Sequence, residues 1–253
     1  MVVTRTVMTP GGQKIKVGVI KDRIEIKRPR GFKIFIKGYD DRIKDYIKAW
    51  ICEDLMAGED FIIKDTGPRR KGKSTLACRT AIDLFPITPD NVVYTAKEFS
   101  KVAEYLSPSE PAENKFSIIV WDEAGYGMFK QRWYEREQQE IVRLLEVNAA
   151  KKLVVILVSP HNDFMNSALV SPVMCKMWLD VGISQKMGKG WATMWSGMYH
   201  QFRSSGFWNP VCAFRFDELG GEFWDSYMRK KMQFISDAGK KTAKSRPSSD
   251  DQE

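Results

Sequence analysis

The chain has 253 residues, 43% hydrophobic and 28% charged, with 18 Gly and 11 Pro, the balance of a globular protein and not of a disordered, collagenous or coiled-coil one. At this length folding buries roughly 70–75% of the extended surface, so the core needs no disulfide or metal staple. Four cysteines without a C-x-x-C and two histidines leave no zinc site or disulfide framework correctly spaced. The longest apolar run, 153–158, is far below the roughly 18 residues that span a bilayer. No signal-peptide pattern opens the chain, and these features predict a reducing, cytoplasmic setting.

Lys and Arg number 40 against 32 Asp and Glu, a net charge of +8. The excess is local: residues 1–50 hold 13 basic against five acidic side chains, and the rest balances at 27 against 27. Such asymmetry predicts an N-terminal surface that meets a polyanion, most often nucleic acid, or else a merely solubilising basic face.

In chain order, residues 14–20, 23–27 and 32–37 alternate apolar and charged side chains, which predicts a small basic β-meander over 1–40. Ile43, Tyr46, Ile47, Trp50, Ile51 and Leu55 recur at three and four, predicting an amphipathic helix over 41–56. Beyond Gly58, buried strands at 61–64, 91–94, 116–121 and 153–158 alternate with helices at 73–84, 96–105 (behind a Thr95 cap) and 134–149, the pattern of a parallel sheet with helices on its faces. A fifth strand is expected within 177–184. Gly188-Lys189-Gly190 turns it into a strand over 191–199, and a last helix is expected from about 217 to 235. The expected domains are the meander (1–40), an α/β domain (41–238) and a disordered polar tail (239–253).

Gly67-Pro68-Arg69-Arg70-Lys71-Gly72-Lys73-Ser74 matches G-x-x-x-x-G-K-[ST] at every fixed position, behind a strand and before a helix. A loop of this kind wraps phosphates with backbone N–H groups at a helix N-terminus. With Thr75 next in the helix, residues 67–75 are the expected nucleotide-binding segment. Lys73 is placed to neutralise the β and γ oxygens, and Ser74 to ligate magnesium. Forty-nine residues after Lys73, the apolar strand ends in Asp122-Glu123. Asp122 is expected to hold magnesium through water, and Glu123 to polarise an attacking water. That adjacent base favours hydrolysis over phosphoryl transfer to another acceptor.

The following strand ends in Ser159-Pro160-His161-Asn162. A polar-ended strand after the two phosphate motifs matches the additional-strand group of P-loop ATPases, in which an inserted strand separates the phosphate-loop strand from the acidic one. Ser159, His161 or Asn162 is then a γ-phosphate sensor, or else the segment is a capped turn. Arg132, Arg136 and Arg143 offer candidate fingers towards a neighbouring subunit, of which Arg132 and Arg143 are preferred. Salt bridging along their own helix is the competing role. Trp191, Trp195, Tyr199, Phe202, Phe207 and Trp208 either stack on bases or fill the core.

The phosphate loop, the Trp-Asp-Glu-Ala end of the acidic strand and the Ser-Pro-His-Asn strand end resemble FtsK/HerA-type motor ATPases. Within that group the chain is similar to the compact genome-packaging and zonula-occludens-toxin-like ATPases of archaeal viruses and plasmids. The resemblance covers about residues 58–200. It implies a RecA-like parallel sheet with a C-terminal hairpin and helix, ATP and Mg2+ as ligands, and a homo-oligomeric ring, a hexamer in the pattern of such motors. That ring would move double-stranded DNA in genome packaging or DNA transfer, with a capsid or transfer-apparatus protein as partner. The phosphate loop departs from the larger motors in carrying Pro68 and three basic residues. Two other readings compete: an ATP-dependent switch acting through a protein partner, and an AAA+-like helicase loader with Arg229 in its last helix.

Overall fold

The computed structural model describes residues 4–8, 14–18, 24–27, 33–38, 41–85, 87–106, 117–127, 136–147, 153–161, 165, 171–172, 174–182, 190–200 and 205–244. The chain forms two compact units, Met1–Glu218 and Leu219–Glu253.

In the first unit, strands β1 (Thr4–Met8), β2 (Lys14–Gly18), β3 (Ile24–Lys27) and β4 (Lys33–Gly38) precede helix α1 (Asp41–Met56). Then come β5 (Phe61–Thr66), α2 (Lys73–Leu84), β6 (Val92–Val93), α3 (Ala96–Leu106), β7 (Ser117–Trp121), the single turn α4 (Ala124–Gly127), α5 (Arg136–Val147) and β8 (Leu153–Ser159). Strands β9 (Cys175–Val181), β10 (Trp191–His200) and β11 (Ser205–Arg215) close the unit.

Among the described residues, nine strands share one sheet in the order β3-β4-β11-β10-β9-β5-β8-β7-β6. From β9 to β6 the pairs are parallel, whereas β10 runs antiparallel to both of its neighbours, β9 and β11. The strand inserted between β5 and β7 is β8, the polar-ended strand, while β6 lies at the sheet edge although it falls between the two motifs in sequence.

The fully apolar runs of β5, β7 and β8 are buried on both faces because helices cover both. Successive residues face opposite ways: Phe61 meets the Trp50 ring of α1 edge-on at 5.4 Å, while Ile62 joins the cluster containing Phe99, Ile119, Trp121, Ile141, Leu145 and Val155. Phe99 and Trp121 stack at 4.8 Å. Helix α3 starts with the expected Thr95 cap, completed as a capping box: Glu98 N donates to Thr95 Oγ1, and Thr95 N donates to Glu98 Oε2, both at 3.2 Å.

The N-terminal segment departs from the expected three-stranded meander. β1, which carries no clear strand signal in the sequence, pairs with β2 as a separate antiparallel hairpin against α1. β3 and β4 form a second hairpin, and β4 joins the large sheet parallel to β11. Alternation reports which face a residue takes and not which strand is its neighbour. β11 is likewise absent from the sequence expectation, because Pro210 interrupts its run. The proline is accommodated beside a register shift opposite Met194 and Trp195, at a stretch where β11 has no β4 partner.

The second unit holds helix α6 (Glu222–Lys244), which starts after Gly221 at φ +90° and not at 217. It continues past 235, so residues 239–244, expected in the disordered tail, are helical. Trp224 and Tyr227 stack at 4.8 Å. Met228, Met232 and Ile235 are exposed at helical spacing. No helix among the described residues is long and apolar enough to cross a membrane.

Candidate nucleotide site

The phosphate loop begins where β5 ends, and its backbone is set by positive φ angles. Gly67 lies at φ +147°, and an added Cβ would collide with the carbonyl oxygen of Val181 at the end of β9. Gly72, at φ +98°, is the N-cap of α2 and makes no side-chain cap, at the end of the helix whose dipole favours anions. Arg70 adopts φ 61° between them, and such changes of hand along a loop turn successive N–H groups inward as an anion nest. Arg69 and Arg70 are exposed. The Lys71 side chain runs along Gly182, its Cγ 3.0 Å from where a Cβ there would sit.

Lys73 is 9% exposed and donates from Nζ to the Pro68 carbonyl at 2.9 Å, so its charge is folded over the loop. Ser74 Oγ donates to Asp122 Oδ1 at 3.0 Å, across 48 residues of sequence. Asp122 is 1% exposed; its N–H donates to the Val93 carbonyl, and its Oδ1 also accepts the Glu123 N–H at 3.1 Å. Glu123 follows at φ 60°, a left-handed conformation that side chains adopt rarely and that clusters at functional sites.

Asp65 draws no attention in the sequence because it reads as the polar end of a strand. It is fully buried one residue before Thr66, and neither carboxylate oxygen has a hydrogen-bond partner among the described residues. Burial pushes its pKa well above the ordinary value; Lys73 opposes this, and the charges of Asp122 and Asp180 reinforce it. Because the folded pKa is raised, the Asp65 contribution to stability is full below the unfolded value near 3.8 and falls as pH rises towards the folded value. Asp65→Asn, which cannot ionise, is therefore expected to gain in Tm relative to wild type between pH 4 and pH 8. About 1 kcal/mol of such gain corresponds to roughly 2–4 °C in a protein of this size. Parallel melting curves at the two pH values check this, and an equal difference at both would contradict it.

Ser159 is buried at the end of β8, in register with Thr66 of β5, and its hydroxyl donates to the His161 carbonyl at 3.0 Å. Arg143 is exposed on α5, whose Ile141 and Leu145 enter the core. Arg132 and Asn162 lie outside the described residues, as do Phe202 and the side chain of Tyr199. Of the aromatic residues, Trp195 stacks on Trp178 at 5.5 Å and Trp208 meets Trp178 edge-on at 5.6 Å. The Lys64 ammonium sits 4.3 Å from the Trp178 ring and 4.1 Å from that of Trp208, and burial lowers its pKa to about 8. Trp195 and Trp208 thus serve packing, while Phe207 is exposed.

The residues fit a magnesium nucleotide. Among the described residues no group of three or more His, Cys, Asp or Glu side chains could hold a metal by itself, and magnesium in such sites takes one or two protein ligands with phosphate oxygens and water. Ser74 and Asp122, joined at 3.0 Å, could supply that small donor set.

A glycine-rich loop after one strand, a buried acid after another and an inserted strand between them define a P-loop NTPase fold of the additional-strand, RecA-like type, extended at both ends. No family model and no curated protein matches the chain. Among solved structures it is similar to the N-terminal domain of zonular occludens toxin from Neisseria meningitidis, at 17% identity over 60% of this chain and 94% of that one, TM-score 0.40. It is also similar to the genome packaging NTPase of Sulfolobus turreted icosahedral virus 2, at 12% identity over 61% and 98%, TM-score 0.35. A third is the cytoplasmic domain of a type VII secretion ATPase from Thermomonospora curvata, at 10% identity over 77% of this chain and 26% of that one, TM-score 0.35. All three are distant likenesses of fold.

Proposed function

We propose that the chain is a cytoplasmic, magnesium-dependent ATPase that drives double-stranded DNA through a ring of its own copies, in genome packaging or DNA transfer for a mobile genetic element. The observation that best supports hydrolysis is the Ser74–Asp122 hydrogen bond, which joins the phosphate loop to the acidic strand beside Glu123. Ser74 and Asp122 would hold magnesium, which would supply neutralisation of the phosphate charge. Lys73 turns from the Pro68 carbonyl to those oxygens. Asp122 orients Ser74 and the metal's water shell, and Glu123 accepts the proton of the attacking water. Ser159 or Asn162 reads the γ-phosphate. Arg143, exposed on α5, or Arg132 reaches the next subunit's site. The exposed Met228, Met232 and Ile235 of α6 suit a contact between copies in a hexamer, and a capsid or transfer-apparatus protein is the expected further partner. In functional terms the chain divides into a basic segment at 1–40, the ATPase domain at 41–238 and the remaining tail.

The basic segment supplies the DNA contact in this reading. Deleting 1–40 would remove the partner of β11 along with the charge, so the cleaner variant is Arg5→Gln/Lys14→Gln/Lys16→Gln in the separate β1–β2 hairpin. ATP hydrolysis by the wild type is expected to rise strongly with duplex and less with single-stranded DNA. The triple variant is expected to bind duplex more weakly and to flatten the salt slope by about 0.9 for each phosphate that its cations no longer neutralise. An unchanged slope would remove the hairpin from the interface. Hydrolysis indifferent to DNA would turn the reading into a nucleotide switch acting on a protein.

A further inference from the structure

A cavity of about 280 Å³ adjoins the phosphate loop on a side of α2 that the phosphate chemistry does not use. Ser74 reaches Asp122, whereas Gly72 and Thr75, three residues apart and so on one side of the helix, border the cavity. Opposite them stand Gly190, from the turn entering β10, and the segment 215–218 that follows β11. Its volume is close to the lower end of ligand pockets, roughly 300–1,000 Å³.

The wall is held in place from three directions. Phe216 is 5% exposed, and its ring edge lies 3.1 Å from where a Cβ on Gly72 would sit, so glycine there lets the ring close against the loop. Phe216 N donates to the Gly190 carbonyl at 2.8 Å, and Arg79 Nη2, from α2, donates to the Glu218 carbonyl at 2.8 Å. On the other side of β11, residues Ala213 to Arg215 pair with β4. The cavity therefore combines a fixed aromatic ring with two exposed carboxylates, Asp217 and Glu218, which accept hydrogen bonds and donate none when ionised.

We propose that this cavity is the nucleoside subsite: Phe216 packs on the base, and Asp217 and Glu218 accept from the ribose hydroxyls, so that the site selects ribonucleotides. The proposal rests on the ATPase reading above and extends it to a segment outside the phosphate motifs. A nucleotide whose phosphates lie on the loop would place its sugar and base towards Thr75, which lines the cavity.

The test is calorimetric binding of ATP, 2′-deoxy-ATP and inorganic tripolyphosphate, each with magnesium, to the full chain. Wild type is expected to bind ATP at least about tenfold more tightly than tripolyphosphate, the size of one good stacking contact. Phe216→Leu should weaken ATP binding by about that factor while leaving tripolyphosphate unchanged, which also shows that the loop is still folded. Asp217→Asn/Glu218→Gln should narrow the preference for ATP over 2′-deoxy-ATP. Equal wild-type affinity for ATP and tripolyphosphate, or an equal loss of both in Phe216→Leu, would overturn the subsite while sparing the phosphate site. Binding of none of the three would overturn the ATPase reading as well.

Discussion

Glu123→Gln is expected to bind ATP as wild type does and to hydrolyse it about 10²–10⁴-fold more slowly, the range that a positioned general base contributes. Glutamine keeps the size of the side chain and its hydrogen-bonding reach but cannot accept the proton of the attacking water. Position is what makes Glu123 the candidate. Its N–H is held by Asp122 Oδ1, the oxygen that also accepts from Ser74 Oγ, so the candidate base is tied through one carboxylate to the Ser74 end of the phosphate loop. The left-handed backbone at φ 60° bends the chain away from the line of β7 at this point. Equilibrium ATP binding and steady-state phosphate release, measured on the same preparation, check both halves of the expectation. Wild-type turnover in Glu123→Gln would remove it from the catalytic role and send the search to another acceptor near the γ-phosphate.

The second large effect is expected on binding. Lys73→Ala removes the charge buried beside the phosphate path, and truncating one partner of a buried charge pair costs about 2–5 kcal/mol, or roughly 30- to 5,000-fold in affinity. Without ligand, loss of the Nζ hydrogen bond to the Pro68 carbonyl is expected to lower stability by about 1–3 kcal/mol, the range for a charged donor. Titration with ATP and magnesium, alongside thermal melts without ligand, separates the two quantities. A variant that melts like wild type and binds ATP with wild-type affinity would refute the assignment of Lys73 to the phosphates.

Much of this site is legible in the sequence because its parts are local. The spacing from Gly67 to Ser74 states a loop geometry within eight residues, and Asp122-Glu123 follow directly on an apolar run. Helix α1 has its expected ends, 41 and 56, and α2 its expected ends, 73 and 84, because apolar periodicity and the glycine before α2 act over single turns.

Elsewhere a local signal misleads. Pro210 hides a strand that a register shift accommodates, and the alternation in 14–37 names faces but not partners. The basic 23–37 segment is thereby an edge of the main sheet and not part of a free-standing meander.

By itself, then, the sequence determined the phosphate loop, the acidic pair and the class of sheet that presents them. The tertiary structure alone decided that β6 lies at the sheet edge, that Ser74 and Asp122 hydrogen-bond across 48 residues, that Asp65 is sealed from water, and that Phe216 closes a cavity against Gly72. The reason is physical. Strand pairing and desolvation depend on which distant segments arrive together, and one residue's neighbours along the chain carry no record of that.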